Sequence, residues 1–305
     1  MIELRTQGLS WIEPSDANFY GFHGQSNNGP AAVEYYNKKL LERREKYPFV
    51  PNSEASKHSE GVGEKGYHRI KNFFDEGQKN TLLEIRDVIS NYVDENKHIK
   101  KRDNNMAHIN QPILNIPNLY KIIFDDRIIN IAAAHFNCVP AVTSVAVRKS
   151  FITDGPPVNN QYFHRDYNSL VKLLKVAVYF NDVDEDTGPF TYVHASNRKM
   201  FNNWWHYHYL QDDFLEVTYG KDNIKHLTAN FGDLLLANTK GFHKGLKPKN
   251  KERIAMHICF MVHPELIGPN QDQESPPEDW FQIREEDYNS LPEWKKPVAD
   301  ILKRV

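Results

Sequence analysis

The spacing of apolar residues changes near residue 142 of this 305-residue chain. Before that point, apolar positions recur every three or four residues from Pro30 to Tyr47 and again from Thr81 to Asn96, which predicts two amphipathic helices. A third helical region is expected over 119–136, interrupted near Asp125 and Asp126. The interval 52–66 is polar and contains glycine and serine, so we expect a loop there.

From residue 142 onward, short β-rich segments separated by Gly- and Pro-containing turns predict a series of strands. These segments cover 142–152, 161–166, 171–181, 188–194, 233–238 and 253–262. Six or more short strands within about 120 residues are typical of a sandwich or barrel. The helices that precede them are expected to brace it.

Two residues of the segment 161–166 indicate a metal site. In a strand, alternation places His164 and Asp166 on one face and Arg165 on the other. A second imidazole from a distant segment would complete the two-histidine, one-carboxylate ligand set of non-haem Fe(II) oxygenases. His243 is the best candidate, and Arg253 adds a guanidinium able to bind a carboxylate with two hydrogen bonds.

In these segments the chain resembles the phytanoyl-CoA dioxygenase family of Fe(II)/2-oxoglutarate-dependent oxygenases. The likeness extends over roughly residues 120–262. The matching parts are the helical segment 124–139, Gln161-Tyr162-Phe163-His164-Arg165-Asp166, the strand 174–182, Asp186-Thr187-Gly188-Pro189-Phe190, Gly232-Asp233-Leu234-Leu235-Leu236, His243 and Arg253.

The resemblance implies a mainly β protein with flanking helices (α+β), whose core is a double-stranded β-helix, also called a jelly-roll or cupin-like barrel. It implies His164, Asp166 and His243 as iron ligands and Arg253 as the residue that binds 2-oxoglutarate. The expected reaction consumes O₂ and 2-oxoglutarate, releases succinate and CO₂, and hydroxylates a C–H bond of a small molecule. Desaturation and ring formation stay open, as does ascorbate as an accessory reductant.

The chain departs from the family pattern at two places. Where relatives often have a Pro-Gly-Ser-His segment, this chain has His194-Ala195-Ser196-Asn197, a loop that can suit a different substrate. Many relatives have a hydroxyl-bearing residue two positions after the residue that matches Arg253 or His243. At these positions this chain has Ala255 and Gly245. The second partner of the co-substrate carboxylate must therefore come from elsewhere.

Several further residues have a functional and a structural interpretation. Tyr162, by strand parity, and Thr191 are candidates for contact with co-substrate or substrate, or they simply pack. His257 shares the parity of Arg253, so it can face the barrel interior, but we expect a hydrogen-bonded core histidine instead. The lysines of the turn between His243 and Arg253 either attract an anionic substrate or form a solvated surface. They are Lys244, Lys247, Lys249 and Lys251.

An aromatic insert, 197–226, interrupts the strand series and is expected to form a helix or lid. Its residues Trp204, Trp205 and Tyr207 can line the substrate pocket, contact a second subunit, or cap the barrel.

Three other functions are compatible with some of these residues. A protein-kinase catalytic loop resembles His164-Arg165-Asp166, but Val171 stands where that loop has asparagine, and no Gly-rich phosphate loop precedes it. A non-catalytic cupin-like barrel that binds a metal or small molecule is the main alternative. A metal-dependent hydrolase or isomerase would use the same histidines and Asp166 but would not require Arg253.

Composition narrows the partners and the compartment. The 38 basic and 40 acidic residues leave a formal net charge of -2, which gives no global electrostatic case for nucleic acid or an anionic membrane. Only Cys138 and Cys259 occur, too few for a disulfide framework, which favours a reducing cytoplasm. No apolar signal or membrane segment is recognised.

We expect one oxygenase domain, with a mostly helical N-terminal region (1–140), a β core (141–265) and a C-terminal extension (266–305), as a monomer or homodimer.

Overall fold

The protein is described by a computed structural model that covers residues 29–166, 172–198, 209–262 and 281–305, with side chains from residue 37 onward. Within these ranges the helices are α1 (Gly29–Lys46), α2 (Ser53–Lys65), α3 (Glu76–Asp94), α4 (Pro112–Asn115), α5 (Leu119–Ile123), α6 (Asp126–Phe136), α7 (Asp212–Tyr219) and α8 (Glu285–Ser290). The strands are β1 (Tyr67–Ile70), β2 (Ile99–Arg102), β3 (Met106–Ile109), β4 (Ala141–Ser150), β5 (Leu174–Tyr179), β6 (Phe190–Val193), β7 (Ile224–Leu227), β8 (Leu234–Ala237), β9 (His243–Gly245), β10 (Arg253–Met261), β11 (Gln282–Ile283) and β12 (Lys303–Arg304).

Two antiparallel sheets form the core of the fold. The larger has the order β1-β8-β5-β10-β4-β3-β2, and the smaller has the order β7-β6-β9. Residues of both sheets share one buried cluster, with Tyr179 and Leu235 from the larger and Phe190 and Tyr192 from the smaller. The arrangement is the predicted jelly-roll type with flanking helices, although the sheets do not close into a continuous barrel.

Strand β10 shows how the sequence divides the large sheet into two faces. Its even-numbered residues are apolar and belong to the main core cluster: Ile254, Met256, Ile258 and Phe260. Its odd-numbered residues line a cavity between the sheets: Arg253, Ala255, His257 and Cys259. Because side chains alternate along a strand, one nine-residue segment supplies both the helix-facing core and part of the cavity wall.

Helices cover the outer face of the large sheet. Leu82, Ile85 and Ile89 of α3 are buried at helical spacing in the main core, together with the isoleucines of α6. The Asp75 side chain and Gln78 cap α3 reciprocally, so this helix begins before the predicted Thr81. The predicted interruption near Asp125 is confirmed, because the Asp125 side chain accepts a hydrogen bond from the Arg127 amide and caps α6.

The expectation of a loop over 52–66 is wrong, since α2 occupies most of it. The Asn52 side chain accepts a hydrogen bond from the Ala55 amide at 2.8 Å, and Gly66 ends the helix in a left-handed conformation. Only Ala55 and Val62 are buried along this helix. A helix that buries so narrow a face has a mainly polar sequence, and composition alone therefore suggested a loop.

The strand predictions differ from the structure in two ways. Five of the six predicted segments contain β4, β5, β6, β8 and β10, whereas 161–166 forms no regular strand. That segment begins with a 3-10 turn over Asn159–Gln161 and then forms isolated bridges at Phe163 and His164. The sequence pattern did not predict β1, β2, β3, β7 and β9, which have three or four residues each and little periodicity. The N-terminal region, expected to be mostly helical, thus also supplies three strands of the large sheet.

The aromatic insert is only partly described. Helix α7 lies within it, and Trp204, Trp205 and Tyr207 lie outside the described residues. Lys244 of β9 contacts both carboxylate oxygens of Asp212 at 2.6 Å, which attaches the start of α7 to the small sheet. None of the described helices has the length and apolarity that a membrane crossing requires.

Gly188 offers a test of the turn that joins the two sheets. It has φ +77, and a Cβ at this position would collide with the backbone of Leu246. We expect Gly188→Ala to lower the free energy of unfolding by at least about 1–2 kcal/mol, because a left-handed backbone is strained once a Cβ is present. Denaturant unfolding measures this change.

Gly63→Ala is the matched control, because Gly63 is an exposed residue of α2 with open space around its Cβ position. It should stabilise the protein by about 0.5–1 kcal/mol, since alanine loses less backbone entropy in a helix. Equal effects of the two changes would contradict the packing inferred for Gly188.

Candidate metal centre

His164 and His243 are held side by side by their own backbones. His243 begins β9, and His164 forms an isolated antiparallel bridge with it. Each amide donates a hydrogen bond to the carbonyl oxygen of the other residue, both at 2.9 Å. The centroids of the two imidazole rings lie 4.3 Å apart. Two residues that are 79 positions apart in the sequence thereby become direct neighbours.

Backbone carbonyls determine the tautomer of both imidazoles. His164 Nδ1 lies 2.9 Å from the Tyr162 carbonyl oxygen, and His243 Nδ1 lies 3.0 Å from that of Gly241. A carbonyl oxygen can only accept, so Nδ1 must carry the proton in each ring. The lone pair is therefore on Nε2. The Nε2 atom of His243 is buried and has no hydrogen-bond partner among the described residues.

Asp166 supplies the third donor group. Its amide donates to the Thr239 carbonyl at 3.1 Å, which secures its backbone. Its Oδ2 accepts a hydrogen bond from the Lys175 ammonium at 2.6 Å, and its Oδ1 lies 3.7 Å from His243 Nε2. One ligand atom from each of His164, Asp166 and His243 lies within 4.8 Å of the others. The predicted trio is thus brought together.

The electrostatics of the trio favour a cation. Burial lowers the pKa of His243 to about 4, with Lys175 acting in the same direction and Asp166 opposing. Burial also lowers the pKa of His164 well below its ordinary value. For Asp166, burial would raise the pKa, but Lys175, His243 and His164 outweigh it and hold the pKa well below the usual range. At neutral pH the site therefore contains two neutral imidazoles and one carboxylate.

This donor set fits Fe(II). Two imidazole nitrogens and one carboxylate oxygen on one side of a metal, with further positions open, are the ligands of non-haem Fe(II) oxygenases. Backbone carbonyls that bind the second nitrogen of each ligating histidine are the usual way in which such rings are oriented. A buried, unpartnered Nε2 is costly in a folded protein unless something binds it.

Beside the trio lies a cavity of about 100 Å³ between the two sheets. Arg253 is in its wall, and its Nη1 donates to the Leu246 carbonyl at 3.2 Å while its Nη2 lies 3.5 Å from Ser150 Oγ. Ser150 is directly opposite Arg253 in the β4–β10 register. A Cβ at Gly245 would lie 3.1 Å from Arg253 Nη2, so glycine leaves room for the guanidinium.

Tyr162, Thr191 and His257 are the other candidates for contact with co-substrate or substrate or for the barrel interior. Tyr162 and Thr191 do not line the cavity: Thr191 Oγ1 contacts the Pro189 carbonyl, and the Tyr162 ring lies against Tyr209. His257 does line it, and its buried Nδ1 has no hydrogen-bond partner among the described residues. The expectation of a hydrogen-bonded core histidine is therefore wrong for that atom.

Three of the four predicted lysines of the turn after His243 have local side-chain partners, and the fourth, Lys249, is exposed. Lys244 is buried and paired with Asp212, so it is not part of a solvated surface. Lys247 donates to the Gly155 carbonyl, and Lys251 pairs with Asp184 at the surface. These contacts attach the turn to neighbouring loops.

The loop at residues 194–197, where the chain departs from the family pattern, supports the metal trio. Ala195 has φ +56, and the buried Ser196 accepts a hydrogen bond from the Phe242 amide at 2.9 Å. The Val193 amide donates to the Phe242 carbonyl at 2.9 Å. Both bonds hold the residue that precedes His243.

Arg148, Ser150 and Lys175 are among the polar residues of the cavity wall that sequence reasoning missed. The sequence nevertheless contains a signal for these three residues. Arg148 and Ser150 continue the parity of Ala146 in a predicted strand, and Lys175 is a single charge within the apolar run 173–180. A charged residue at the inward parity of a buried strand indicates a polar cavity, because unpaired charges are rarely placed in an apolar core.

Comparison with known proteins agrees with this geometry. The family model of phytanoyl-CoA dioxygenase (PhyH) matches residues 62–254, more than half of the chain. No curated protein matches the chain by sequence.

Solved structures share the fold at low sequence identity. The epimerase SnoN, in complex with Fe³⁺, alpha ketoglutarate and nogalamycin RO, is 13% identical with a TM-score of 0.54, covering 68% of this chain and 84% of its own. The carbocyclase SnoK from nogalamycin biosynthesis is 16% identical with a TM-score of 0.53, covering 70% and 86%. HygX from Streptomyces hygroscopicus, with nickel, 2-oxoglutarate and hygromycin B bound, is 14% identical with a TM-score of 0.50, covering 74% and 94%.

The lowered histidine pKa values predict an unusual pH dependence of metal binding. Protons normally compete with a metal for histidine below about pH 6.5. Because the folded pKa of His243 is about 4 and that of His164 is also well below its ordinary value, we expect Co(II) affinity to stay constant from about pH 7.5 down to 5.5. Absorbance titration measures this affinity.

Lys175→Met provides the comparison. It removes a cation that lowers the pKa of both His243 and Asp166, so proton competition should begin at higher pH in the variant. A wild-type affinity that already falls tenfold per pH unit below about 6.5 would show that the imidazoles titrate normally.

Proposed function

The chain belongs to the phytanoyl-CoA dioxygenase family and is an Fe(II)- and 2-oxoglutarate-dependent enzyme, and on that premise we propose that it hydroxylates a C–H bond of a small molecule with His164, Asp166 and His243 holding the iron. The observation that carries the assignment is the convergence of two Nε2 lone pairs and one ionised carboxylate within 4.8 Å. Iron bound there would activate O₂ and support oxidative decarboxylation of 2-oxoglutarate to succinate and CO₂.

Each protein group has a specific part in holding the metal. The Tyr162 and Gly241 carbonyls keep the Nε2 atoms deprotonated and aimed at one point. Lys175 occupies Oδ2 of Asp166 and leaves Oδ1 for the metal. An ionised carboxylate held in this way neutralises one charge of a divalent cation and blocks one coordination position.

Arg253 is the proposed binding residue for the distal carboxylate of 2-oxoglutarate. Its guanidinium lines the same cavity as the imidazoles and matches the planar geometry of a carboxylate. Ser150 stands opposite Arg253 with its Oγ close to Nη2, and we assign to it the second hydrogen bond that Ala255 and Gly245 cannot supply. The Leu246 carbonyl orients the guanidinium from the other side.

The choice of hydroxylation over other outcomes rests on Asp166. The carboxylate occupies the position that would otherwise be open to a further ligand such as halide, so oxygen transfer to carbon is the simplest outcome. The structural relatives include an epimerase and a carbocyclase, and the fold therefore supports several reactions of one iron centre. A small-molecule substrate is consistent with the relatives described with nogalamycin RO and hygromycin B.

The cellular setting and the domain organisation belong to this proposal. Cys138 and Cys259 are both buried and form no disulfide among the described residues, which suits a reducing compartment such as the cytoplasm. We also propose that the chain forms one oxygenase domain, because strands from the N-terminal region and from 141–261 share one sheet.

The assignment of the iron ligands is tested by anaerobic titration of the Fe(II) protein with 2-oxoglutarate. The visible charge-transfer band of the chelate should form in wild type. His164→Ala and Asp166→Ala should abolish iron binding, since each removes one of three ligands. His226→Ala is the control, because His226 is an exposed residue of β7. Retention of iron by either ligand variant would contradict the site.

Arg253→Met should keep the iron and raise the dissociation constant of 2-oxoglutarate by at least about tenfold, because a paired carboxylate loses its charge-assisted hydrogen bonds. Arg86→Met is the matched control, because Arg86, on the outside of α3, pairs with the neighbouring Asp87 and with no other described residue. A protein that binds iron but never forms the band would instead be a metal-binding barrel without this co-substrate.

Ser150→Ala tests the proposed second partner separately. Removal of one neutral hydroxyl should raise the dissociation constant of 2-oxoglutarate by about five- to tenfold, less than the loss of Arg253, and should leave iron affinity unchanged. Ser144→Ala is the control, since Ser144 lines the cavity from the same face of β4 but lies six residues away along the strand. Equal effects of the two serine changes would contradict the assignment.

A further inference from the structure

Arg148 is a cation of the cavity wall that the proposed reaction does not use. It lies on β4 at the same parity as Ser150 and faces Ala255 across the β4–β10 pair. The side chain is half-buried, its Nε is buried without a hydrogen-bond partner, and Arg148 forms no ion pair with a described residue. The small side chain of Ala255 leaves the guanidinium open to the cavity.

An unpaired arginine in such a position is costly. A buried lysine or histidine can lose its proton, whereas arginine stays charged in proteins. Burial lowers the pKa of Arg148, with Arg253 acting in the same direction and Asp166 opposing, yet the group keeps its charge. A desolvated charge destabilises the fold until a counter-charge arrives.

Among the described residues, the groups around Arg148 do not provide that counter-charge. His108 is its partner across the β3–β4 pair, and burial together with Arg148 lowers the pKa of His108 to about 3, so the ring is neutral. Burial lowers the pKa of His257 and likewise keeps that ring neutral. Asp166, the carboxylate of the metal trio, is already bound by Lys175 at 2.6 Å.

The charge balance of the cavity leads to the same conclusion. Its cationic side chains are Arg148, Lys175 and Arg253, against the single carboxylate of Asp166, an excess of two positive charges among the described residues. The two charges of Fe(II) and the two of the 2-oxoglutarate dianion cancel each other. The excess of two therefore persists after metal and co-substrate have bound.

We propose that the substrate of this enzyme carries a carboxylate or phosphate group, and that Arg148 binds this group. The inference rests on the proposed function and adds a substrate class to it. A guanidinium donates two parallel hydrogen bonds to either oxyanion, so both share the chemistry that Arg148 recognises. A substrate bound in this way is anchored on β4, the strand that also carries Ser150 at the co-substrate end of the cavity.

Two fluorinated anions can test this site without knowledge of the substrate. The full chain is loaded with Zn(II) and saturating 2-oxoglutarate, and trifluoroacetate or difluoromethylphosphonate is observed by ¹⁹F NMR. We expect saturable line broadening by at least one probe, and the tighter probe distinguishes a carboxylate from a phosphate ligand. Replacement of Zn(II) by Co(II) should increase the ¹⁹F relaxation rate, because the bound probe lies in the same cavity as the metal.

Arg148→Met should weaken binding of the probe by about tenfold or more, because both charge-assisted hydrogen bonds are lost, and Arg148→Lys should weaken it less. The Arg148→Met protein without probe should unfold at a higher temperature than wild type, since a half-buried charge without a counter-charge among the described residues has been removed. Arg86→Met, on the outer side of α3, should change neither property.

Three results would overturn the proposal. The first is the absence of saturable broadening with either probe, and the second is equal broadening in wild type and Arg148→Met. The third is a rise of about tenfold in the dissociation constant of 2-oxoglutarate in Arg148→Met, which would assign Arg148 to the co-substrate site. Failure of wild type to bind 2-oxoglutarate at all would overturn the proposed function itself, and it is observed before any probe is added.

Discussion

The centre of this protein depends on a pair of backbone hydrogen bonds between His164 and His243. They fasten an irregular segment to the short strand β9 and bring two imidazoles within contact distance. Carbonyl groups two residues back along the chain then select the tautomer of each ring. Main-chain groups thus determine both the position and the tautomer of the two imidazoles, whereas the carboxylate of Asp166 is held by the Lys175 side chain.

The surroundings of this pair serve mainly to keep it rigid. The Phe190 and Tyr192 rings stack near His243, and the loop containing Ser196 holds the amide that precedes it. Burying two neutral histidines, an unpartnered Nε2 and an unpaired guanidinium lowers the stability of the metal-free fold. Such costs are typical of sites whose groups are satisfied only when ligands are bound. The apolar core between the large sheet and its helices offsets them.

The large sheet separates the two tasks of the protein by strand parity. One face of β4, β5 and β10 packs against helices, while the other presents Arg148, Ser150, Lys175, Arg253 and His257 to the cavity. The positions of Lys175 and Arg253 among the apolar residues of their strands therefore indicate which face lines the cavity. Lys175 and Arg148 were not predicted as site residues, because the patterns used to recognise a metal site consist of histidine and carboxylate residues. A lysine or arginine in a strand is not part of such a pattern.

The sequence by itself determined the long elements and the β-rich core, and together with the family resemblance it pointed to His164, Asp166 and His243 as candidate metal ligands. Long periodic helices, the strand β10 and a His-x-Asp pair carry local signals that do not depend on distant residues. Only the tertiary structure decided the helix over Ser53–Lys65, the three- and four-residue strands and the pairing of His164 with His243. It also decided that Lys175 binds Asp166 and that Arg148 has no counter-charge among the described residues. The physical reason is that short strands, ion pairs and burial are created by contacts between segments far apart in the chain, and no local pattern encodes such contacts.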